Sequence, residues 1–124
     1  MNSYQDLSVW QRAMDLAVEC YSLTKGFPRE EVYGLVSQIR RASSSVAANI
    51  AEGYGPDGTG SYVQHLKIAQ GSLKELETHL LLSTRVGLLP IEGIGAATAL
   101  SEETGKMLRS LIRRLQDTRN ENDD

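Results

Sequence analysis

The chain has 124 residues and a mass of 13.6 kDa, which is the size of one domain and excludes a multi-domain enzyme. Thirteen basic and sixteen acidic residues give a net charge of -3, so no overall positive field draws the whole protein to nucleic acid or to anionic lipid. Cys20 is the only cysteine, which excludes an intrachain disulfide and a cysteine-based zinc site.

Three prolines, at positions 28, 56 and 90, divide the chain into four pieces, and each piece shows helical periodicity. The first piece carries two neighbouring apolar rows, which is typical of a helix packed against more than one neighbour. The rows are Leu7, Trp10, Met14, Ala17, Tyr21 and Thr24, and Val9, Ala13, Leu16, Cys20 and Leu23. Gly26, two residues before Pro28, predicts the end of this helix.

The second piece combines an apolar row with a row of small residues, and small side chains let another backbone come close. The apolar row is Leu35, Ile39, Ala42, Val46 and Ile50, and the small row is Ser37, Ser44, Ala48 and Ala51. Gly53 and Gly55 are expected to end this helix.

The third piece has the clearest pattern, a heptad repeat formed by Tyr62, Leu66, Ala69, Leu73, Leu76, Leu80 and Ser83. Thr59 or Ser61 is expected to cap this helix and Gly87 to close it. Gly71 lies in its middle, where glycine costs about 1 kcal/mol relative to alanine. Close packing by a neighbouring helix is the expected compensation.

The fourth piece begins at Pro90, and residues 92–95 form a weak helix start. Its apolar row is Ile94, Ala97, Leu100, Leu108, Leu111, Ile112 and Leu115. Residues 117–124 contain no apolar side chain and predict a disordered acidic tail. The sequence therefore predicts an all-α domain over residues 1–116, an up-down antiparallel four-helix bundle with short connections.

Two motifs resemble ligand sites but have a simpler interpretation. Residues 53–58 read GYGPDG, which matches the glycine spacing of a dinucleotide-binding loop. That loop follows a strand, whereas a helix precedes it here and Pro56 lacks an N–H, so a flexible loop is predicted. Glu75 and His79 lie four residues apart, but a di-iron bundle needs a repeated Glu-x-x-His motif, so surface Glu–His pairing is predicted.

Nucleophiles do not form a catalytic set. The serines at positions 43–45 lie in a helix, where small-residue packing explains them, and Cys20 on an apolar row predicts a buried thiol. We therefore predict a protein that is not an enzyme, with no catalytic residue, metal, cofactor or small-molecule substrate.

The basic residues indicate a candidate anion-binding surface. Six of them are candidates for contact with nucleic acid: Arg40, Arg41, Lys106, Arg109, Arg113 and Arg114. From Lys106 to Arg119 there are five basic residues and one acidic residue, a local charge of +4. The alternative is that the C-terminal half of a helix favours Lys and Arg through the helix dipole.

Asn49 and Glu52 are polar residues near a predicted packed face, because alanines and Ile50 surround them. Buried polar groups need hydrogen bonds or charged partners, so both are expected to be structural, within the bundle or across a subunit contact. Arg40 or Arg41 is the expected partner of Glu52.

Four segments carry a family resemblance: residues 6–11 (DLSVWQ), 33–42 (YGLVSQIRRA), 49–55 (NIAEGYG) and 71–78 (GSLKELET). In this order and spacing the chain resembles the bacterial four-helix-bundle family named after the 23S rRNA intervening-sequence protein, to which the retroelement accessory variability determinant is related. The resemblance implies a ring-like homopentamer without established catalytic activity, and a tie to RNA or DNA through a basic surface. Relatives carry a basic stretch where residues 56–61 read PDGTGS, so part of that surface is missing here.

Two functions are therefore open: an accessory module that associates with RNA or DNA, or a scaffold ring that binds another protein. Any nucleic-acid binding is expected to be weak and blind to sequence, with Tyr54 the aromatic considered for stacking. The N-terminus has no basic stretch followed by apolar residues, and no run approaches the roughly 18 apolar residues of a membrane span. A cytoplasmic protein with no membrane partner is predicted.

Overall fold

The computed structural model describes residues 3–123, with side chains described for residues 3–120, and this part of the chain is helical without strands. The helices are α1 (Ser8–Thr24), α2 (Leu35–Gly53), α3 (Thr59–Arg85) and α4 (Gly95–Asp123). Short 3-10 turns at Tyr4–Asp6, Arg29–Glu31 and Ile91–Ile94 precede α1, α2 and α4. The predicted all-α class is confirmed.

Neighbouring helices run in opposite directions. Contacts between successive helices include Arg40–Thr24, Asn49–His65 and Glu77–Ser101. In each contact a residue late in one helix meets a residue early in the next. α1 also packs against α4. Leu7 lines a groove with Arg114, and Arg12 forms an ion pair with Glu103 at 3.0 Å. Because the later residue of α1 meets the earlier residue of α4, these two helices are antiparallel as well. The structure is the predicted up-down four-helix bundle.

The core is formed by the apolar rows of all four helices. The largest fully buried apolar side chains are Leu16, Ile39, Ile50, Leu66, Leu76, Leu80 and Leu108. In α1, the row that contains Leu16 faces the core, whereas Met14 and Tyr21 in the other row are 39% and 43% exposed. One bundle therefore uses only part of the apolar surface of α1.

Two glycines with positive φ bound α3. Gly58 has φ 97° and precedes the helix, whose N-terminus receives no side-chain hydrogen bond, so the predicted cap by Thr59 or Ser61 is wrong. The left-handed backbone of Gly58 turns the chain into the helix instead. Gly87 has φ 84°, and the N–H of Leu88 donates to the carbonyl of Ser83 at 2.9 Å, so the predicted closure is confirmed.

The two ends of α4 differ from the sequence expectation. Residues 91–94 form a 3-10 turn and the α-helix begins at Gly95, which agrees with the weak helix-forming residues of this stretch. At the other end, residues 117–123 were predicted to be disordered, but α4 continues through Asp123. This stretch contains neither proline nor glycine, and extending an existing helix is much easier than starting one. Asp124 lies outside the described residues.

Candidate nucleic-acid interface

Arg40 is held by the end of α1. Its Nε donates to Thr24 Oγ1 at 2.9 Å and an Nη donates to the carbonyl of Tyr21 at 3.3 Å. The guanidinium also lies over the Tyr21 ring, 4.5 Å from the ring centroid. Arg40 thus satisfies a carbonyl at a helix C-terminus and joins α1 to α2. These contacts occupy the guanidinium that the sequence made a candidate for phosphate binding.

Arg41 is exposed on α2, which packs mainly against α1 and α3 and not against α4. The six candidate cations therefore do not form one patch. The four on α4 are exposed and lie together: Lys106, Arg109, Arg113 and Arg114.

Three of the four α4 cations line two grooves, and Arg113 lines neither. Lys106 and Arg109 line a groove between α3 and α4 with a cavity volume of about 570 Å³. Lys106 and Arg114 line a second groove between α1 and α4, with a volume of about 470 Å³. Lys106 forms the ridge between them.

The α3–α4 groove contains a third cation, Lys74, which the sequence analysis missed. Lys74 Nζ lies 3.5 Å from Glu77 Oε2, and Glu77 Oε1 accepts a hydrogen bond from the Ser101 hydroxyl at 3.3 Å. The sequence around Lys74 does not indicate a binding site, because only the packing of α4 beside α3 brings this lysine near Lys106.

Gly71 and Gly105 lie on opposite walls of this groove. Gly71 is exposed, and an added Cβ would have no heavy atom of a neighbour within 4 Å. The expectation that a neighbouring helix packs closely against Gly71 is therefore wrong within the chain.

The aromatic predicted to stack on a base is not free. Tyr54 is half-buried and packs edge-on against Tyr62, with ring centroids 5.9 Å apart. Burial raises the pKa of the Tyr62 phenol, and the Arg114 guanidinium partly offsets this effect. Tyr33, which the sequence analysis missed, is 96% exposed. It precedes α2, at the end of the bundle opposite Arg114.

Asn49 is bonded within the bundle, as expected. Its Nδ2 donates to the carbonyl of Ser45 at 2.9 Å, and its Oδ1 lies 3.3 Å from His65 Nδ1. The Ser45 hydroxyl is 2.9 Å from that of Ser72 in α3. These groups form a half-buried polar network that joins α2 to α3.

Glu52 differs from its expectation. Its side chain is 68% exposed, and its Oε2 lies 4.0 Å from His65 Nδ1. Within one chain Arg40 and Arg41 are not its partners, because eleven or twelve residues along a helix separate them from Glu52 by about 17 Å.

The pairing of Glu75 with His79 and the burial of Cys20 agree with the simpler interpretations. His79 Nε2 pairs with Glu75 Oε1 at 3.6 Å. Burial raises the pKa of the Cys20 thiol to about 12. In residues 3–120 no three His, Cys, Asp or Glu side chains come close enough together to hold a metal ion. Within residues 3–123, no helix has both the length and the apolar character that crossing a bilayer requires.

Comparison with known proteins decides the family. Residues 5–110 match the family model described as 23S rRNA-intervening sequence protein. The chain belongs to this family. A crystal structure of a protein with unknown function from the S23 ribosomal protein family of Bacteroides thetaiotaomicron VPI-5482 has a TM-score of 0.78 to it. The two sequences are 27% identical, over 85% of this chain and 95% of that one. No curated protein matches the chain.

The span shared with the 23S rRNA-intervening sequence protein family contains only part of the candidate interface. It includes Lys74, Lys106 and Arg109 and ends before Arg113 and Arg114. The α3–α4 groove is therefore within the family domain, whereas the basic end of α4 lies beyond the matched residues.

Asn49 is half-buried and hydrogen-bonded, whereas Glu52 is mostly exposed, so their removal should have different effects on stability. Asn49→Ala should lower the free energy of unfolding by about 1–3 kcal/mol, because it removes the hydrogen bond that joins α2 to the half-buried His65 of α3. Glu52→Ala should lower it by at most about 1 kcal/mol, since the side chain is mostly in water. Urea unfolding of both variants measures the difference. Equal costs would contradict the exposed position of Glu52 and indicate a charged partner in an assembly.

Proposed function

We propose that this member of the 23S rRNA-intervening sequence protein family is a non-enzymatic homo-oligomeric accessory protein that associates with RNA or DNA. The observation that carries the proposal is the convergence of Lys74, Lys106 and Arg109 on one groove, with Arg113 exposed one turn beyond Arg109. Arginine and lysine bind phosphate without reading bases, so the association is salt-sensitive and independent of sequence. We place this function in the cytoplasm.

The charges around the groove support phosphate binding. Its carboxylates are Glu77, which Lys74 and Ser101 hold, and Glu102 at the end away from Arg109. Within residues 3–120, the ion pairs of the structure leave Lys106 and Arg109 unpaired. The positive end of the groove is therefore available to an anion.

The proposed assembly uses a face formed by α1 and α2, here called the α1–α2 face. Met14, Val18 and Tyr21 project from α1 at spacings of four and three residues and are 39%, 66% and 43% exposed. Beside them, Ser44 and Ala48 of α2 are exposed small residues that let another helix approach closely. Burial of this face by a second copy would remove apolar surface from water, and the resemblance supplies the number five.

We expect Val18→Glu to break the assembly, because it places a charge in the centre of the α1–α2 face. Multi-angle light scattering should show a wild-type mass several times 13.6 kDa and a monomer for this variant. Val86→Glu is the matched control, since Val86 is also exposed (58%) but lies at the end of α3. A wild-type monomer at micromolar concentration would end the oligomer proposal.

A salt titration tests the association itself. Wild-type protein is mixed with a labelled mixed-sequence RNA and with a duplex DNA, and binding is followed as the salt concentration rises. We expect binding at about 50 mM salt that weakens steeply by about 200 mM. Repetition of the groove around an oligomer should strengthen it through avidity. No binding at the lower salt concentration would overturn the nucleic-acid proposal.

The second candidate is a scaffold ring that recruits another protein. The net charge of -3 favours it, as does the loop 56–61, which has no basic residue. Pull-down from native lysate, with and without nuclease, separates the two. Partners that survive nuclease support the scaffold, and partners that nuclease releases support the nucleic-acid module.

A further inference from the structure

The middle of α3 contains a glycine that no contact within the chain explains. Gly71 is exposed, its backbone is helical, and a Cβ at this position would have no neighbour within 4 Å. Glycine is among the least favourable residues in a helix interior, and an alanine here would fit the described structure without a clash. The missing side chain leaves space free along the α3 wall of the α3–α4 groove.

The facing wall of the groove also contains a glycine, in a different environment. Gly105 of α4 is buried, and a Cβ added there would stand 3.4 Å from an Nη of Arg109 and 3.6 Å from a methyl of Leu73. A Cβ at position 105 would therefore touch the guanidinium that lines the groove. The two glycines thus line the same groove as its three cations.

The cations lie on both walls of the groove. Lys74 stands on the α3 wall, one turn after Gly71, and Lys106 and Arg109 follow Gly105 on the α4 wall. A groove between two helices with cations on both walls fits one flexible, negatively charged chain whose backbone can come close to the helices. A duplex is too stiff and too wide to enter between two helices whose axes pack about 8–10 Å apart.

We propose that the α3–α4 groove binds the phosphate backbone of single-stranded nucleic acid, with closest approach at Gly71. This inference rests on the proposed function and adds the form of the ligand and its position. The strand lies along the groove, and its phosphates meet Lys74, Lys106 and Arg109. Duplex nucleic acid contacts only the outer cations, such as Arg113.

Filling the groove without changing its charge tests this proposal. Gly71→Ala should raise the melting temperature, because alanine favours the helix, and should weaken binding of a labelled single strand of about 16 nucleotides. Gly71→Leu, which fills more of the groove, should weaken it about tenfold or more. Binding of a duplex of equal length should stay unchanged in both variants. Gly95→Ala is the control, since Gly95 is exposed at the start of α4 with no neighbour within 4 Å and lies outside the groove.

The outcomes separate this proposal from the proposed function. Wild-type protein that binds neither ligand would overturn both. If the wild type binds and Gly71→Leu leaves single-strand binding unchanged, or weakens both ligands equally, the groove proposal is overturned and the proposed function survives. A change of oligomeric mass in Gly71→Leu would assign the groove to a second copy of the chain and overturn the proposal as well.

Discussion

The double variant Arg109→Glu/Arg113→Glu is expected to abolish nucleic-acid binding while keeping the fold. Both side chains are exposed on α4, and neither takes part in an ion pair among residues 3–120, so their reversal leaves the core intact. A charged hydrogen bond to phosphate is worth about 1.5 kcal/mol or more, so removing two of them gives about a hundredfold weaker binding. Repulsion between the new carboxylates and the phosphates weakens binding further.

Fluorescence anisotropy against a mixed-sequence RNA at several salt concentrations measures the effect. The slope of the logarithm of the binding constant against the logarithm of the salt concentration should become smaller by about one unit for each phosphate that the variant no longer binds. Arg41→Glu is the matched control, because Arg41 is an exposed arginine on α2, away from the α4 cations. Equal weakening by the control would show that overall charge, and not the α4 surface, governs binding. Circular dichroism establishes that both proteins remain helical.

Gly53→Ala is expected to be strongly destabilising. Gly53 is the last residue of α2, and an added Cβ would stand 2.7 Å from the Cβ of His65 and 3.3 Å from the carbonyl oxygen of Tyr62. Neither atom belongs to the flexible end of a side chain, so α2 and α3 must move apart. Overpacking of this kind costs about 1–3 kcal/mol. The movement would also strain the contact between His65 and Asn49.

Thermal unfolding measures this cost, and a domain of this size loses about 4 °C of melting temperature for each kcal/mol. We therefore expect a fall of about 4–12 °C. Gly26→Ala is the control, because a Cβ at Gly26 would have no neighbour within 4 Å and the substitution should change the melting temperature little. A Gly53→Ala protein as stable as the wild type would contradict the close approach of the two helices.

Much of the fold was predictable because helical periodicity is a local property. The core rows that contain Leu16, Ile39 and Leu76 are buried as their spacing predicts. Boundaries that depend on a single backbone conformation were less predictable. The sequence placed the cap of α3 at Thr59 or Ser61, whereas the positive φ of Gly58 makes the turn.

The candidate site was predicted only where its residues share one helix. Lys106 and Arg109 are neighbours on α4, so their spacing was enough to predict a common surface. Lys74 comes from another helix, and its approach to them depends on how α3 packs against α4. Arg40 looked equally free in the sequence, but the end of α1 provides the partners that hold it.

The sequence by itself determined the helical class and the order of the helices, because these follow from the spacing of apolar residues along one chain. The tertiary structure decided which of the two apolar rows of α1 faces the core. The tertiary structure also decided which polar side chains bind other helices and which remain available to bind a ligand. In their contacts with other helices, Arg40 and Asn49 bind residues that are 16 or more positions away in the sequence. Only the packed structure shows that no neighbouring helix contacts Gly71. Such contacts depend on the relative position of two helices, which no local spacing in the chain encodes.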